Sequence, residues 1–228
     1  MVDWEKNWRG SGIGAVLFFI VGYVIYGSQP KVGASPEQLV SFYEGDRTRI
    51  FIASVILGFA ILNLLWFAVA LTSALRDQGK AGWGTAATTA SAVLGGALFL
   101  HLTLSAALAY SIAGSGNPEL TSALNDVSWV LMVLALFPAA MLIMSGSFGL
   151  WRAGLISNAG FGAGITAMAV LLLGTTTWAS DGFWSPSGAY SRLITTIVFL
   201  AWVTVVSGFL TRSYSTQSTS GRAAVPTA

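Results

Sequence analysis

Six stretches of the chain contain no charged side chain: 12–26, 50–75, 85–113, 127–151, 157–178 and 193–211. No other feature restricts the fold so severely. A chain that folds in water covers its surface with polar groups, and soluble domains devote roughly a quarter of their residues to charge. Here 9% of 228 residues are charged and 54% are hydrophobic, with a mean hydropathy of +0.71. An apolar helix of about 20 residues, rising 1.5 Å per residue, crosses a hydrocarbon core of roughly 30 Å. Such a helix also satisfies its own backbone hydrogen bonds, which lipid cannot do. The pattern predicts an all-α fold, a polytopic membrane helical bundle of six transmembrane helices. Residues 1–211 then form one six-helix transmembrane domain, and the small, polar stretch 212–228 reads as a disordered C-terminal tail. Segment 12–26 is short enough for a signal-peptide core, but no small-x-small cleavage site follows it, so it reads as a retained span.

The charges between the spans set an orientation. With the N-terminus in the cytoplasm, seven basic residues fall inside (Lys6, Arg9, Arg76, Lys80, Arg152, Arg212, Arg222) and four outside (Lys31, Arg47, Arg49, Arg192). The Lys/Arg excess marks the cytoplasmic side, so both termini are expected there, in the cell membrane. Trp4, Trp8, Trp83 and Trp151 then fall at the inner boundary, and Trp129, Trp178 and Trp184 at the outer one, where indole rings prefer to lie. A net charge of +2 without a basic cluster gives no reason to expect nucleic acid.

Between the first two spans, "SPEQ" reads as a helix start. Ser35 is the N-cap, Pro36 suits the first turn, and Gln38 completes a capping box. Leu39, Val40, Phe42 and Tyr43 give the short helix an apolar face. An amphipathic helix in the first outer loop follows, a lid in shape but with no polar site evident beneath it. "SGNPELTSALND" promises a turn and a brief helix before the fourth span. Pro138 predicts a kink within that span. The pairs Ser91/Gly95, Ala92/Gly96, Ser145/Gly149 and Gly160/Gly164 have the spacing that lets membrane helices approach closely.

The chemistry is defined largely by exclusion. No Asp, Glu, Lys or Arg lies within a span, which argues against a proton-coupled pump. There is no cysteine, and His101 is the single histidine, too few ligands for a zinc site. No cofactor is expected. Ser145 and Ser147 in the fourth span coexist with His101 in the third, but rhomboid-type proteases place their serine before the histidine, and here the order is reversed. These serines read as packing residues. His101 lies halfway along the third span, at the depth of Asn63 in the second. Each is costly in hydrocarbon unless paired, so an interhelical bond is expected, with Ser105 and Thr103 as further partners. Asn63, His101 and Ser105 form the candidate intramembrane polar cluster, and Trp66 and Trp202 the candidate lining of a pocket.

Two longer segments, "EGDRTRIFIASVILGFAILNLLWFAVALTSALR" and "LNDVSWVLMVLALFPAAMLIMSGSFGLWRAGLIS", resemble the second span, and the fourth span with its tight turn, of a broad family of uncharacterised bacterial multi-pass membrane proteins. The resemblance implies a bacterial cytoplasmic-membrane location and no particular activity. The leading functional expectation is a non-catalytic membrane protein serving as an accessory or interaction subunit, with the lipid bilayer and other membrane-protein subunits as partners. The alternative is a binder or carrier of a small apolar molecule or lipid, held between helices.

Overall fold

In a computed structural model, the backbone is described from residue 8 to 223 and the side chains from 8 to 212. Eight α-helices occur among the described residues and no strand does. They are α1 (Ser11–Tyr26), α2 (Pro36–Tyr43), α3 (Arg47–Asp77), α4 (Ala81–Ala107), α5 (Pro118–Leu134), α6 (Leu136–Arg152), α7 (Asn158–Gly174) and α8 (Thr195–Ala223). Single π-helical turns extend α4 over Leu108–Ile112 and open α8 over Tyr190–Ile194.

Four helical stretches are long and apolar enough to cross a membrane: Arg47–Asp77, Ala81–Ser115, Pro118–Arg152 and Tyr190–Arg212. Of the six expected, α1 and α7 are shorter apolar helices of 16 and 17 residues. Their ends explain the shortness. α1 stops at Gly27, whose φ of +79° belongs to the left-handed region. After α7, Thr175, Thr176 and Thr177 each turn a hydroxyl back onto a carbonyl three residues earlier, at 2.7 Å, offering the backbone an alternative to further helix.

The bundle is a ring. Each long helix packs against its neighbours in the chain, in the order α1, α3, α4, α6, α7, α8, and α8 returns to α1. Short connections force this antiparallel succession. The ring closes because glycines bring backbones together. A Cβ on Gly164 of α7 would sit 2.6 Å from Ser147 Cβ of α6, so only glycine permits that approach. Of the small-residue pairs, Ser91/Gly95 and Ser145/Gly149 are buried in such contacts, whereas Ala92 and Gly96 face outward and Gly160 is exposed.

The capping box of α2 is present: Ser35 Oγ accepts from Gln38 N at 3.4 Å and Gln38 Oε1 accepts from Ser35 N at 3.3 Å. The brief helix expected before span four is instead the start of α5, capped by Asn117, whose side chain accepts from Leu120 N at 3.0 Å. It runs on into the span because nothing between Pro118 and Leu134 interrupts the helix. The break comes at Ala135, one turn before Pro138, which has no N–H to continue the ladder. The tail, expected to be disordered from 212, continues α8 as helical backbone to Ala223. Its Ser, Thr and Gln are only modestly unfavourable in a helix already nucleated by a span. Trp4 and the rest of 1–7 lie outside the described residues.

Candidate functional site

The loops 27–46, 113–117 and 175–189 meet at one end of the ring, and Gln29 turns inward from the first of them. Its amide is buried. Gln29 Nε2 donates to the Tyr43 hydroxyl at 3.2 Å and to Ser128 Oγ at 2.7 Å, using both of its hydrogens. Tyr43 in turn donates to Asn125 Oδ1 at 2.9 Å, and Ser128 Oγ to the Asn125 carbonyl at 2.7 Å. Asn125 Nδ2 reaches the carbonyl of Lys31 at 3.2 Å, and Trp129 Nε1 that of Pro30 at 2.8 Å. Donors and acceptors run in one consistent direction, so the first loop, α2 and α5 are fastened together. Burial, and after it the neighbouring Tyr26 ring, pushes the Tyr43 hydroxyl above its ordinary pKa of 10.0, which keeps it a neutral donor.

α2 therefore covers a polar network where the sequence showed none. Leu39, Phe42 and Tyr43 are buried against the loop end. Sequence reading gave no polar role to Gln29, Tyr43, Asn125 or Ser128, because loop amides are assigned to water, Tyr43 counted toward an apolar face, and Ser128 sat within an apolar span. The usable signal was Asn125 one helical turn before Trp129, two polar donors stacked on a face that continues into an apolar span.

His101 lies just below this network. Its Nδ1 is 3.4 Å from the Ser128 carbonyl. A carbonyl only accepts, so the geometry assigns the hydrogen to Nδ1 and leaves Nε2 an acceptor. The expected bond to Asn63 is not made. Asn63 Nδ2 donates to the Phe59 carbonyl of its own helix at 2.9 Å, and its side chain abuts Gly14 of α1. α3 presents that face to α1, and a carbonyl four residues back satisfies an amide without any partner helix. Thr103 does the same with Phe99 at 2.8 Å. Ser105 is fully buried, and its hydroxyl, like that of buried Tyr26, has no hydrogen-bond partner among the described residues.

Trp66 and Trp202 do not share a pocket. Trp66 is 57% exposed on the outside of the ring, edge-to-face with Trp8 at 6.3 Å. Trp202 is buried, donating to Ser147 Oγ at 3.1 Å and packing edge-on against Phe67 at 5.9 Å. Ser145 donates to the Met141 carbonyl at 2.7 Å. Neither serine pairs with His101. No group of three or more metal-ligating side chains occurs among the described residues.

The cavity lies inside the ring, directly under the network. Its upper part, about 100 Å³, is bordered by Tyr26, Gln29, His101, Trp129 and Arg192. A lower part of about 90 Å³ continues toward the middle of the bundle between aliphatic side chains such as Leu64, Leu94 and Val203. The two share the walls Phe19, Ile61, Leu98 and Met132. The polar groups sit at the loop end and the depth is apolar. Above, among the loops, a wetter recess of about 520 Å³ is bordered by Lys31, Asp181, Ser185, Ser187 and Arg192. A separate open groove of about 790 Å³ runs along the outside of α4, α6 and α7 past Pro138 and Met141.

Comparison with known proteins adds no relative: no family model matches the chain, and no curated protein and no solved structure matches it.

Proposed function

We propose that the chain is a non-catalytic integral membrane protein that holds a small, largely apolar molecule, or one chain of a lipid, between its helices. The observation that carries this is the two-part cavity inside the ring. It has largely apolar walls, and a few polar groups, neutral except for Arg192, stand at the loop end, the composition of a site that orients one polar group of an otherwise greasy ligand. Its size is of the order of an apolar cavity of about 150 Å³ that takes up benzene. The accessory-subunit reading has the aromatic loop and the outer groove in its favour, but no residue there distinguishes a partner from lipid.

The proposed setting is the cytoplasmic membrane of a bacterium, crossed six times, with both termini in the cytoplasm. The seven-to-four split of basic residues supports the orientation. The short helices α1 and α7 cross with local thinning of the bilayer, a modest adjustment. The bacterial assignment rests on the segment resemblance alone.

Leu98 borders both parts of the cavity, so Leu98→Trp plugs it. Wild-type protein purified in mild detergent is expected to carry an extractable apolar molecule near one per chain, and the plugged variant at least ten-fold less. Equal content in both sinks the reading. Orientation is checked in the cysteine-free chain by impermeant labelling of exposed Ser41→Cys and Ser180→Cys in intact cells, with Gln78→Cys protected. Reaction at Gln78 with protection of the other two inverts it.

A further inference from the structure

The four basic residues expected on the outer side are unequally provided for. Arg49 pairs with Asp46 at 2.5 Å. Arg47 lies over the rings of Phe51 and Tyr110, at 5.5 and 5.2 Å. Arg192 lies 6.0 Å from the centre of the Tyr23 ring and meets two neutral hydroxyls. Its Nε donates to Tyr23 Oη at 2.8 Å and its Nη2 to Ser28 Oγ at 3.3 Å. A guanidinium has five N–H donors, so these two bonds fix its position and leave three donors open. No carboxylate among the described residues forms an ion pair with it. Asp181 borders the same recess, as does Lys31, but neither Arg192 nor Lys31 is ion-paired with it.

The position of this charge is the telling point. Arg192 borders both the upper part of the apolar cavity and the wet recess among the loops. It is held there by α1, through Tyr23, and it projects from the π-helical turn Tyr190–Ile194. Such turns, which insert one residue into a helix, are frequent where a side chain must be aimed at a ligand. A fixed, un-neutralised guanidinium at the mouth of an apolar cavity favours a ligand with an anionic head and an apolar tail. The planar fork matches a carboxylate or phosphate by two parallel bonds. The narrow cavity below, about 100 and 90 Å³ in its two parts, is of the order of one that takes up benzene, so it admits a single short alkyl chain of about eight carbons.

We propose that the cavity binds a single-chain anionic amphiphile, with its carboxylate or phosphate head on Arg192, assisted by Lys31, and its chain running down past Leu98. The inference rests on the cavity reading above and adds the head group. Its chemistry is shared by a free fatty carboxylate, an alkyl phosphate and an inorganic anion, so the test separates them.

Tritiated octanoate and tritiated octanol are titrated against the full chain in a neutral maltoside detergent, with octyl phosphate and inorganic phosphate as competitors. Octanoate is expected to bind at least ten-fold more tightly than octanol. Octyl phosphate displaces it, and inorganic phosphate at the same concentration does not. Arg192→Gln removes the ten-fold preference by bringing octanoate binding down to the level of octanol, whereas Leu98→Trp abolishes both. Arg192→Lys keeps a charge but loses the fork, and retains an intermediate preference. The comparison of acid with alcohol on the wild-type chain needs no variant to fold. Equal binding of acid and alcohol overturns the head-group assignment and leaves the cavity reading standing. Displacement by inorganic phosphate alone overturns the amphiphile in favour of a bare anion. Binding of neither probe removes the cavity reading together with this one.

Discussion

The two ends of the ring are closed by different chemistry. At the loop end, Gln29, Tyr43, Asn125 and Ser128 join three chain segments by hydrogen bonds, with the cavity beneath and two buried hydroxyls, Tyr26 and Ser105, unbonded among the described residues. At the other end, rings and glycines fill the space. Trp83 stacks on Phe148 at 5.4 Å, Phe148 meets Phe161 edge-on at 4.8 Å, and Phe161 stacks on Trp151 at 4.6 Å. Gly149 lies so close to α3 and α4 that a Cβ would come within 2.7 Å of Leu75 and 2.9 Å of Trp83. One end is dry and filled. The other is polar, directional and hollow, with hydrogen-bonding capacity left over. Close packing fixes a bundle and leaves no room for a ligand, so the hollow end is where function has space.

The largest expected effect tests whether the polar end stands as one unit. Asn125 accepts from Tyr43 and holds the Lys31 carbonyl, and it is fully buried. Asn125→Leu matches its volume but leaves the Tyr43 hydroxyl proton without an acceptor and the Lys31 carbonyl without its donor, while Gln29 keeps Ser128 and the Tyr43 oxygen. Each buried group left unsatisfied costs about 1–3 kcal/mol, so the loss is expected near ~3 kcal/mol in detergent unfolding. A loss under about 1 kcal/mol would mean that water replaces the network freely and the end is not locked.

The second tests the dry end. Gly149→Val drives two methyl groups into Leu75 and Trp83, and overpacking of this kind costs about 1–3 kcal/mol. An expected loss near ~2 kcal/mol accompanies unchanged octanol binding, since the cavity is at the far end of the bundle. If that binding falls as far as stability does, the two ends are coupled and the contrast drawn between them fails.

How far the sequence foretold this division can be read from particular residues. The apolar segments, the Ser35–Gln38 capping box and the break near Pro138 are all local consequences of residue type, and local rules found them. His101 was identified as needing a partner, but the partner is the backbone carbonyl of Ser128, and main-chain groups carry no mark in a sequence. Asn63 found its acceptor in its own helix for the same reason. The network residues were dispersed over positions 29 to 128 and became neighbours only when α2 folded down over the loop end. The apolar face Leu39–Phe42–Tyr43 announced that something must be covered, without saying what.

The smallest effect sharpens the comparison by pH. Tyr43→Phe removes one donor from the network while Gln29 Nε2 still lies 3.2 Å from Asn125 Oδ1, so the expected loss at pH 8 is only about 1 kcal/mol. The sign of its pH dependence follows from burial. An unfolded tyrosine gives up its proton near pH 10, whereas burial of Tyr43 holds its proton to higher pH in the fold. Below about pH 10 both states keep the proton and the contribution of Tyr43 is intact. Above it the unfolded chain ionises first, so the fold loses stability as pH rises further. The phenylalanine variant has nothing to ionise at this position. The stability gap between wild type and Tyr43→Phe should therefore be about 1 kcal/mol at pH 8 and narrow steadily above pH 10, measured by thermal unfolding in the same detergent. A gap that stays constant through pH 11 would mean that water reaches the hydroxyl, and that the polar end is open where the aromatic end is shut.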